Sequence, residues 1–366
     1  MPERFPDRRD RLRARLRDEK VDSLLVSSET NVSYLTGFTG DASTLLLTAD
    51  RALVVTDGRY GEQLQRECPG LEVHVRPVGQ PMMLGVAEVA EKLGLSSLAF
   101  EAARVTVADH GTLREAASAL DLRGVQGWVE SLRIVKDDHE VAAIREAIAV
   151  AERAFHGLRA EIRPGRAEKD LADDLEARMR RLGADGPAFP PIVAAGGNAA
   201  LPHARPSASA RVGEDDLVLI DWGAWIRSYR SDLTRVVATG KVTPRFESVY
   251  RSVLAAQERA IAAIRPGRSA RAIDAEARSS LRDAGFGDFF THGLGHGLGM
   301  DIHEMPFLGR DPDVELRPGM VLTVEPGVYL PGWGGVRIED DVLVTPQGFE
   351  VLTGIPKDLD SVRLDP

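Results

Sequence analysis

Cysteine is almost missing from the 366 residues. Cys68 stands alone, so no disulfide can close within the chain, and a reducing compartment fits. Lysine is scarce too: Lys20, Lys92, Lys136, Lys169, Lys241 and Lys357 are six of 46 basic residues, leaving 40 arginines, a bias that genome composition explains. No apolar run approaches the roughly 20 residues of a membrane span. The first twenty residues, dense in arginine and aspartate, hold no apolar segment of the kind a secretory signal needs. Positive charge is in deficit, with a formal net charge of −10, which argues against a nucleic-acid partner. These absences predict a cytoplasmic protein with neither membrane nor nucleic acid as partner. What is present, 43% apolar and 28% charged residues, is ordinary for a globular protein. The length allows two domains with cores of their own.

One stretch stands out. Thr291 to Pro306 holds three of the eight histidines, His292, His296 and His303, and four glycines. A helix is disfavoured, because each interior glycine costs about 1 kcal/mol relative to alanine. An extended backbone places His292, Leu294, His296 and Leu298 on one face and every glycine on the other. A glycine face admits close approach to the backbone, so a strand delivering histidines into a crowded site is expected.

The chain in order suggests an α+β protein. Residues 1–20 read as an amphipathic helix with Leu12 and Leu16 on one stripe. Strands are predicted at Ser23–Ser27, Ser43–Thr48, Ala52–Thr56 and Leu98–Phe100, and helices up to Glu67, at Val86–Leu93 and at Val107–Leu120. Asn31–Gly40 reads as a glycine-punctuated loop and Thr56–Tyr60 as a turn. This alternation predicts a small mixed α/β domain over 1–130. A larger domain over 135–366 begins with a strongly patterned helix from about Asp138 to Glu161. Its stripe of Val141, Ile144, Ile148, Ala151, Phe155 and Leu158 recurs at 3-4-3-4-3 spacing, and Asp137 with Glu140 makes a capping box. After Ile162-Arg163-Pro164-Gly165-Arg166, a second helix, Glu168–Leu182, stops at Gly183. The same five residues return at Ile264-Arg265-Pro266-Gly267-Arg268, 102 positions later (264 − 162). They again lie between two helices, the first carrying Val249, Val253, Ala256 and Ala260, the second running from about Ala270 to Ala284 and closed by Gly285. Strands follow each pair: Leu217–Asp221 and Leu233–Ala238, then Val321–Glu325 and Val336–Thr345. A duplicated helix-helix-strand domain with pseudo-twofold symmetry is expected.

The two halves place acids alike. Val218-Leu219-Ile220-Asp221 and Leu322-Thr323-Val324-Glu325 are apolar strands that end in a carboxylate. Asp232 opens the next strand of the first half, and Glu339 lies within the next strand of the second. An acid in an apolar strand is costly to bury unless it is paired or bound to a metal. A single case is usually a surface alternation; four, two per repeat, are not. With His296 they make four carboxylates and one imidazole. Four negative ligands balance two divalent cations, whereas one cation would leave like charges repelling. Oxygen-rich ligation favours Mn²⁺, with Co²⁺ or Zn²⁺ acceptable. Two such ions about 3.5–4 Å apart lower the pKa of a shared water and polarise a carbonyl, which is the chemistry of amide or ester hydrolysis.

On these residues the chain resembles a known family. Residues 135–366 resemble the pita-bread metallopeptidases, which include aminopeptidase P, prolidase and methionine aminopeptidase. The whole chain, Asn31–Gly40 and Thr56–Tyr60 included, is similar to the aminopeptidase P and prolidase branch with its creatinase-type N-terminal domain. The resemblance implies that Asp221, Asp232, His296, Glu325 and Glu339 hold a dinuclear metal centre, that His203 and His292 line the substrate pocket, and that His303 contacts the scissile carbonyl or shuttles protons. It implies that Arg337, two residues before Glu339 and on its face of a strand, orients the ligand acids or His303. Tyr229 either borders the pocket or packs in the core.

The activity so implied is exopeptidase hydrolysis of the bond between an N-terminal residue and proline. One metal binds the substrate's α-amino group, Glu325 takes a proton from the attacking water, and His303 and His203 stabilise the oxyanion. Small peptides with proline second are the expected partners, and the family suggests a homodimer. A dipeptidase must cap the substrate's carboxylate, and Arg59 and Arg310 are candidates for that. The alternatives are an aminopeptidase P acting on longer peptides and a dipeptidase without strict proline selectivity. Outside the class stand a metal-free creatinase-like hydrolase and an inactive binding module, against which five intact ligands weigh.

Overall fold

A computed structural model describes residues 4–309 and 313–364. By Cα proximity the chain divides into two compact units, one ending at Leu132 and the other starting at Arg133. No helix among the described residues is long and apolar enough to cross a membrane.

The first unit is built on a six-stranded mixed sheet in the spatial order Glu72–Arg76, Ala52–Asp57, Thr44–Thr48, Ser23–Val26, Ser97–Glu101, Asp121–Val125. The strands Ser23–Val26, Thr44–Thr48 and Ser97–Glu101 are buried at every position, which is why they read as apolar runs. The two edge strands expose charged residues, as edges do to discourage further pairing; neither was predicted, although Val73 and Val75, with Leu71 just before them, alternate in the first. The supposed loop at Asn31–Gly40 is corrected: Glu29–Thr36 is a helix that buries Asn31, Val32, Tyr34, Leu35 and Thr36. Its polar residues misled because their partners lie inside, Asn31 Nδ2 donating to Glu101 Oε1 at 2.5 Å and Glu130 Oε1 at 2.7 Å. Gly37, at φ +83, closes the helix with its N–H on Ser33 O.

The second unit repeats one theme. The helix Asp138–Arg159, opened by the Asp137–Glu140 capping box, packs on Glu168–Arg181. Pro244–Ala262 packs on Ala270–Asp283 in the same way. The repeated pentapeptide makes the same turn twice. Gly165 at φ +88 and Gly267 at φ +82 donate their N–H groups to Val212 O and Leu316 O, both at 2.9 Å. Behind the first helix pair lies an antiparallel sheet of Leu233–Ala238, Leu217–Trp222 and Ile192–Ala195; behind the second, a sheet ordered Glu304–Leu308, Gly295–Gly297, Val321–Val324, Asp340–Thr345, Gly348–Val351. The fold combines a duplicated pita-bread domain with a smaller α/β unit.

Two strands differ from expectation. Val336–Thr345 is not continuous: Gly334–Arg337 pairs with Gly327–Leu330, and Asp340–Thr345 joins the larger sheet. Ile338 and Glu339 fall in the break, where Glu339 bridges to Thr234 of the other half, its N–H on Thr234 O at 3.2 Å. The histidine-glycine stretch is a strand only over Gly295–Gly297, with a register shift after His296. Its glycines do admit close approach: a Cβ on Gly295 or Gly297 would overlap the carbonyl oxygen of Thr323 or Met305.

Candidate metal centre

Asp221 sits near the end of a strand buried at all six positions, and the antiparallel register sets Thr234 opposite it, two residues after Asp232. Glu325 follows the Val321–Val324 strand, Glu339 occupies the strand break, and His296 is the middle residue of its short strand. All five line one cavity of about 620 Å³, together with His203, His292, His303, Arg337 and Tyr329.

Ligand atoms of Asp232, His296 and Glu339 lie within 4.8 Å of one another. His296 Nε2 is 3.4 Å from Glu325 Oε1 and 3.7 Å from Asp232 Oδ2. The imidazole Nδ1 faces Gly297 O at 3.1 Å. A carbonyl only accepts, so Nδ1 carries a proton, and in the neutral ring Nε2 is the ligating nitrogen, turned toward carboxylate oxygens. A neutral imidazole nitrogen among several buried carboxylates is a donor set that a divalent cation would satisfy. Asp221 Oδ1 is buried with no protein partner. Burial, and then repulsion from the neighbouring acids, pushes Asp232 and Glu339 well above the usual carboxylate range. Burial raises Asp221 as well, against the pull of Arg337. The donor set therefore fits divalent metal.

The acids are held from behind. Arg337, 3% exposed, donates Nη2 to Asp221 Oδ2 at 2.6 Å, Nη1 to the Tyr329 hydroxyl at 2.9 Å and to Pro202 O at 3.2 Å, and Nε to Thr234 Oγ1 at 3.0 Å. Thr234 in turn donates to Glu339 Oε2 at 2.6 Å. The other half has a matching threonine: Thr323 Oγ1 accepts the His296 N–H at 3.0 Å and donates to Glu325 Oε1 at 3.3 Å. Sequence reasoning singled out neither threonine, yet each lies two residues from an acid along the chain. The same-face rule that pointed to Arg337 would have found both.

The histidines differ in kind. His203 and His303 are exposed to the cavity. The His303 ring lies 4.4 Å from that of His296, edge to face. His292 is structural to the wall: Nδ1 donates to Gly293 O at 2.8 Å and Nε2 accepts from the Tyr329 hydroxyl at 2.9 Å. Burial, then the Arg337 charge, lowers its pKa to about 4, so it is neutral at neutral pH. Burial also pushes the Tyr329 phenol up to about 12.

Of the two places open to Tyr229, the contacts fit the core. It is 7% exposed, its hydroxyl donates to Glu140 Oε1 at 2.9 Å, and it is not among the residues of the cavity wall. The tyrosine of the wall is Tyr329, whose setting in the apolar Gly327–Leu330 strand gave no polar signal. Arg59 is exposed in the first unit and paired with Asp57; Arg310 lies outside the described residues.

Four carboxylates and an imidazole turned toward one cavity, on a duplicated fold, define a divalent-metal hydrolytic class. The chain belongs to this class by family: residues 142–346 match the model of metallopeptidase family M24, and residues 8–135 match that of the creatinase/prolidase N-terminal domain. Among solved structures it is similar to an Xaa-Pro dipeptidase from Bacillus anthracis, at 38% identity and a TM-score of 0.94 over 98% of this chain and 100% of that one. It is also similar to an X-Pro aminopeptidase from Thermotoga maritima, at 36% identity and a TM-score of 0.86 over 93% and 99%. In sequence it is 34% identical to an Xaa-Pro dipeptidase of Pyrococcus horikoshii over 93% of this chain and 94% of that protein.

Proposed function

We propose that this protein is an Xaa-Pro dipeptidase whose Asp221, Asp232, His296, Glu325 and Glu339 hold two divalent ions, with Mn²⁺ best suited to the oxygen-rich set and Co²⁺ or Zn²⁺ acceptable. The observation that carries this reading is His296 Nε2 turned onto buried, mutually repelling acids in one cavity. When bound, the ions supply Lewis acidity that polarises the scissile carbonyl and makes water nucleophilic near neutral pH.

The chain's own groups do the rest. Glu325, less buried than the other acids, takes the proton of the attacking water. His303 and His203 donate to the developing oxyanion and pass a proton to the departing nitrogen. Arg337, through Thr234, Asp221 and Tyr329, keeps the acids and the His292 wall in register. Phe189, Pro190, Pro191, Ile302 and Phe307 give the cavity an apolar side for a prolyl ring. The same reading includes a cytoplasmic homodimer, in keeping with the family resemblance and with the single, buried Cys68.

The experiment is turnover of an Xaa-Pro dipeptide, an Xaa-Pro-Yaa tripeptide and an Xaa-Ala dipeptide after EDTA treatment and reloading with Mn²⁺, Co²⁺ or Zn²⁺. Fastest cleavage of the Xaa-Pro dipeptide supports the reading. The likeness to the Thermotoga aminopeptidase favours a second reading, and preferred cleavage of the tripeptide would replace the first with it. Metal-independent turnover would remove both.

A further inference from the structure

We infer that Arg133 is a positioning residue for His303. Its guanidinium bridges the two acids that flank this histidine and so fixes where the ring stands in the cavity. The inference rests on the reading above, in which His303 assists turnover, and goes beyond it by naming what aims the ring.

His303 is exposed to the cavity. It lies between the strands Gly295–Gly297 and Glu304–Leu308 and belongs to neither. A ring on such a segment wanders unless its backbone is pinned, and the pins are its neighbours. Asp301 Oδ2 accepts from Arg133 Nη2 at 2.8 Å, and Glu304 Oε2 accepts from the same nitrogen at 2.5 Å. The other oxygen of Glu304 is ion-paired with Lys136 Nζ at 2.6 Å. Arg133, Lys136 and Glu304 are all buried.

Two cations stand against two acids, so the cluster is neutral as it stands. A buried charge that loses its partner is costly, which keeps both acids, and the chain between them, on Arg133. Gly299 makes room for the arrangement: a Cβ there would stand 2.5 Å from Glu304 Oε1 and 3.2 Å from Lys136 Cε. The near end of the segment is held as well. Gly299 O accepts the Arg230 N–H at 2.9 Å, and Met300 O accepts from Arg230 Nε at 3.0 Å. The clamp has its own anchor, since the Lys136 N–H donates to Gly319 O at 2.8 Å, directly before the capped helix Asp138–Arg159. A group meant to act at one point is thus carried by a backbone fixed from several sides.

The test measures kcat and KM for an Xaa-Pro dipeptide, and Mn²⁺ affinity by calorimetric titration. It uses wild type, Arg133→Met, Arg133→Lys, Asp301→Asn and His303→Ala, with Arg133→Met and Asp301→Asn each also combined with His303→Ala. The Asp301 side chain is 31% exposed, so Asp301→Asn carries the test even where Arg133→Met fails to fold. Misplacing a reacting group by about 1 Å costs up to about a hundredfold. Arg133→Met and Asp301→Asn should therefore lower kcat by about ten- to a hundredfold, with KM and Mn²⁺ affinity unchanged, and Arg133→Lys should recover part of the loss. In the His303→Ala background neither change should lower kcat further, because the group they aim is gone. Losses that multiply in the combined variants overturn the inference, as does an unchanged kcat in the folded single variants. A parallel fall in Mn²⁺ affinity shows that the cluster serves the His296 strand instead, and likewise overturns it. All three leave the Xaa-Pro reading intact, whereas a wild type inactive on Xaa-Pro dipeptides overturns both.

Discussion

Replacing Thr234 with valine keeps the shape of a fully buried side chain and deletes one hydroxyl. That hydroxyl donates to Glu339 Oε2 at 2.6 Å and accepts Arg337 Nε at 3.0 Å. Both partners are themselves buried, so each is left short of one bond, at a cost of about 1–3 kcal/mol per group. In the metal-loaded state part of this falls on the metal, because Glu339 loses the contact that aims its second oxygen. Removing an outer partner of a ligand lowers metal affinity or activity by about 10- to 100-fold, or about 1.4–2.8 kcal/mol. Calorimetric titration with Mn²⁺, alongside urea unfolding in EDTA, separates the two effects. Thr234→Val should weaken Mn²⁺ binding by at least tenfold, with a smaller loss of metal-free stability than of metal-loaded stability. A variant that binds Mn²⁺ as wild type does, yet unfolds earlier, would mean that the hydroxyl only fills the core, and the account of the ligand support would be wrong. Thr323→Val, which removes the matching hydroxyl beneath His296 and Glu325, should behave alike.

Asp232→Asn should remove metal-dependent turnover while the far-ultraviolet circular dichroism stays that of wild type; retained turnover would contradict the ligand set. Saturating metal should raise Tm, since a ligand at 100 times its Kd stabilises by about 2.7 kcal/mol, and differential scanning calorimetry with and without EDTA reads this directly. His292 gives a pH signature: its folded pKa of about 4 lies below the unfolded 6.5. As pH falls below 6.5 the unfolded chain takes up a proton that the native state refuses. Its contribution is therefore whole above pH 6.5 and is lost down to pH 4, by about 3 kcal/mol. Urea midpoints of wild type and His292→Asn across pH 4–7 should converge on the acid side, and parallel curves would contradict the assignment. Tyr229→Phe, which removes the bond to Glu140, should cost about 1 kcal/mol of stability and leave kcat unchanged; a large fall in kcat would restore Tyr229 to the cavity.

What could be read ahead of the structure followed the physics of pattern. The duplicated helices, their caps at Asp137, Gly183 and Gly285, and the acids closing apolar strands all leave local traces: a 3.6-residue stripe, a turn residue, a charge where none is expected. The repeated Ile-Arg-Pro-Gly-Arg turn was legible because both copies solve the same backbone problem. Contacts between distant residues were not. Thr234 and Tyr329 matter through Arg337, more than 100 residues from the first and eight from the second; the same-face rule puts Thr234 beside Asp232 but is silent on Arg337, and nothing around Tyr329 announces its contact. Tyr229 stayed open between pocket and core because nearness in sequence to Asp232 says nothing of which side of the strand pair its ring leaves. The helix at Glu29–Thr36 was hidden because its hydrogen-bonding side chains face inward, onto Glu101 and Glu130.

The bridge at Thr234 and Glu339 has a mechanical corollary. There the main chains of the two repeats touch, and the same two residues touch again through their side chains. The seam of the duplicated unit thus runs straight through the ligand cluster, and sliding one repeat along the other would alter the spacing of the acids. Metal held there would act as a rivet across that seam, and chelation would leave the two repeats freest to come apart separately.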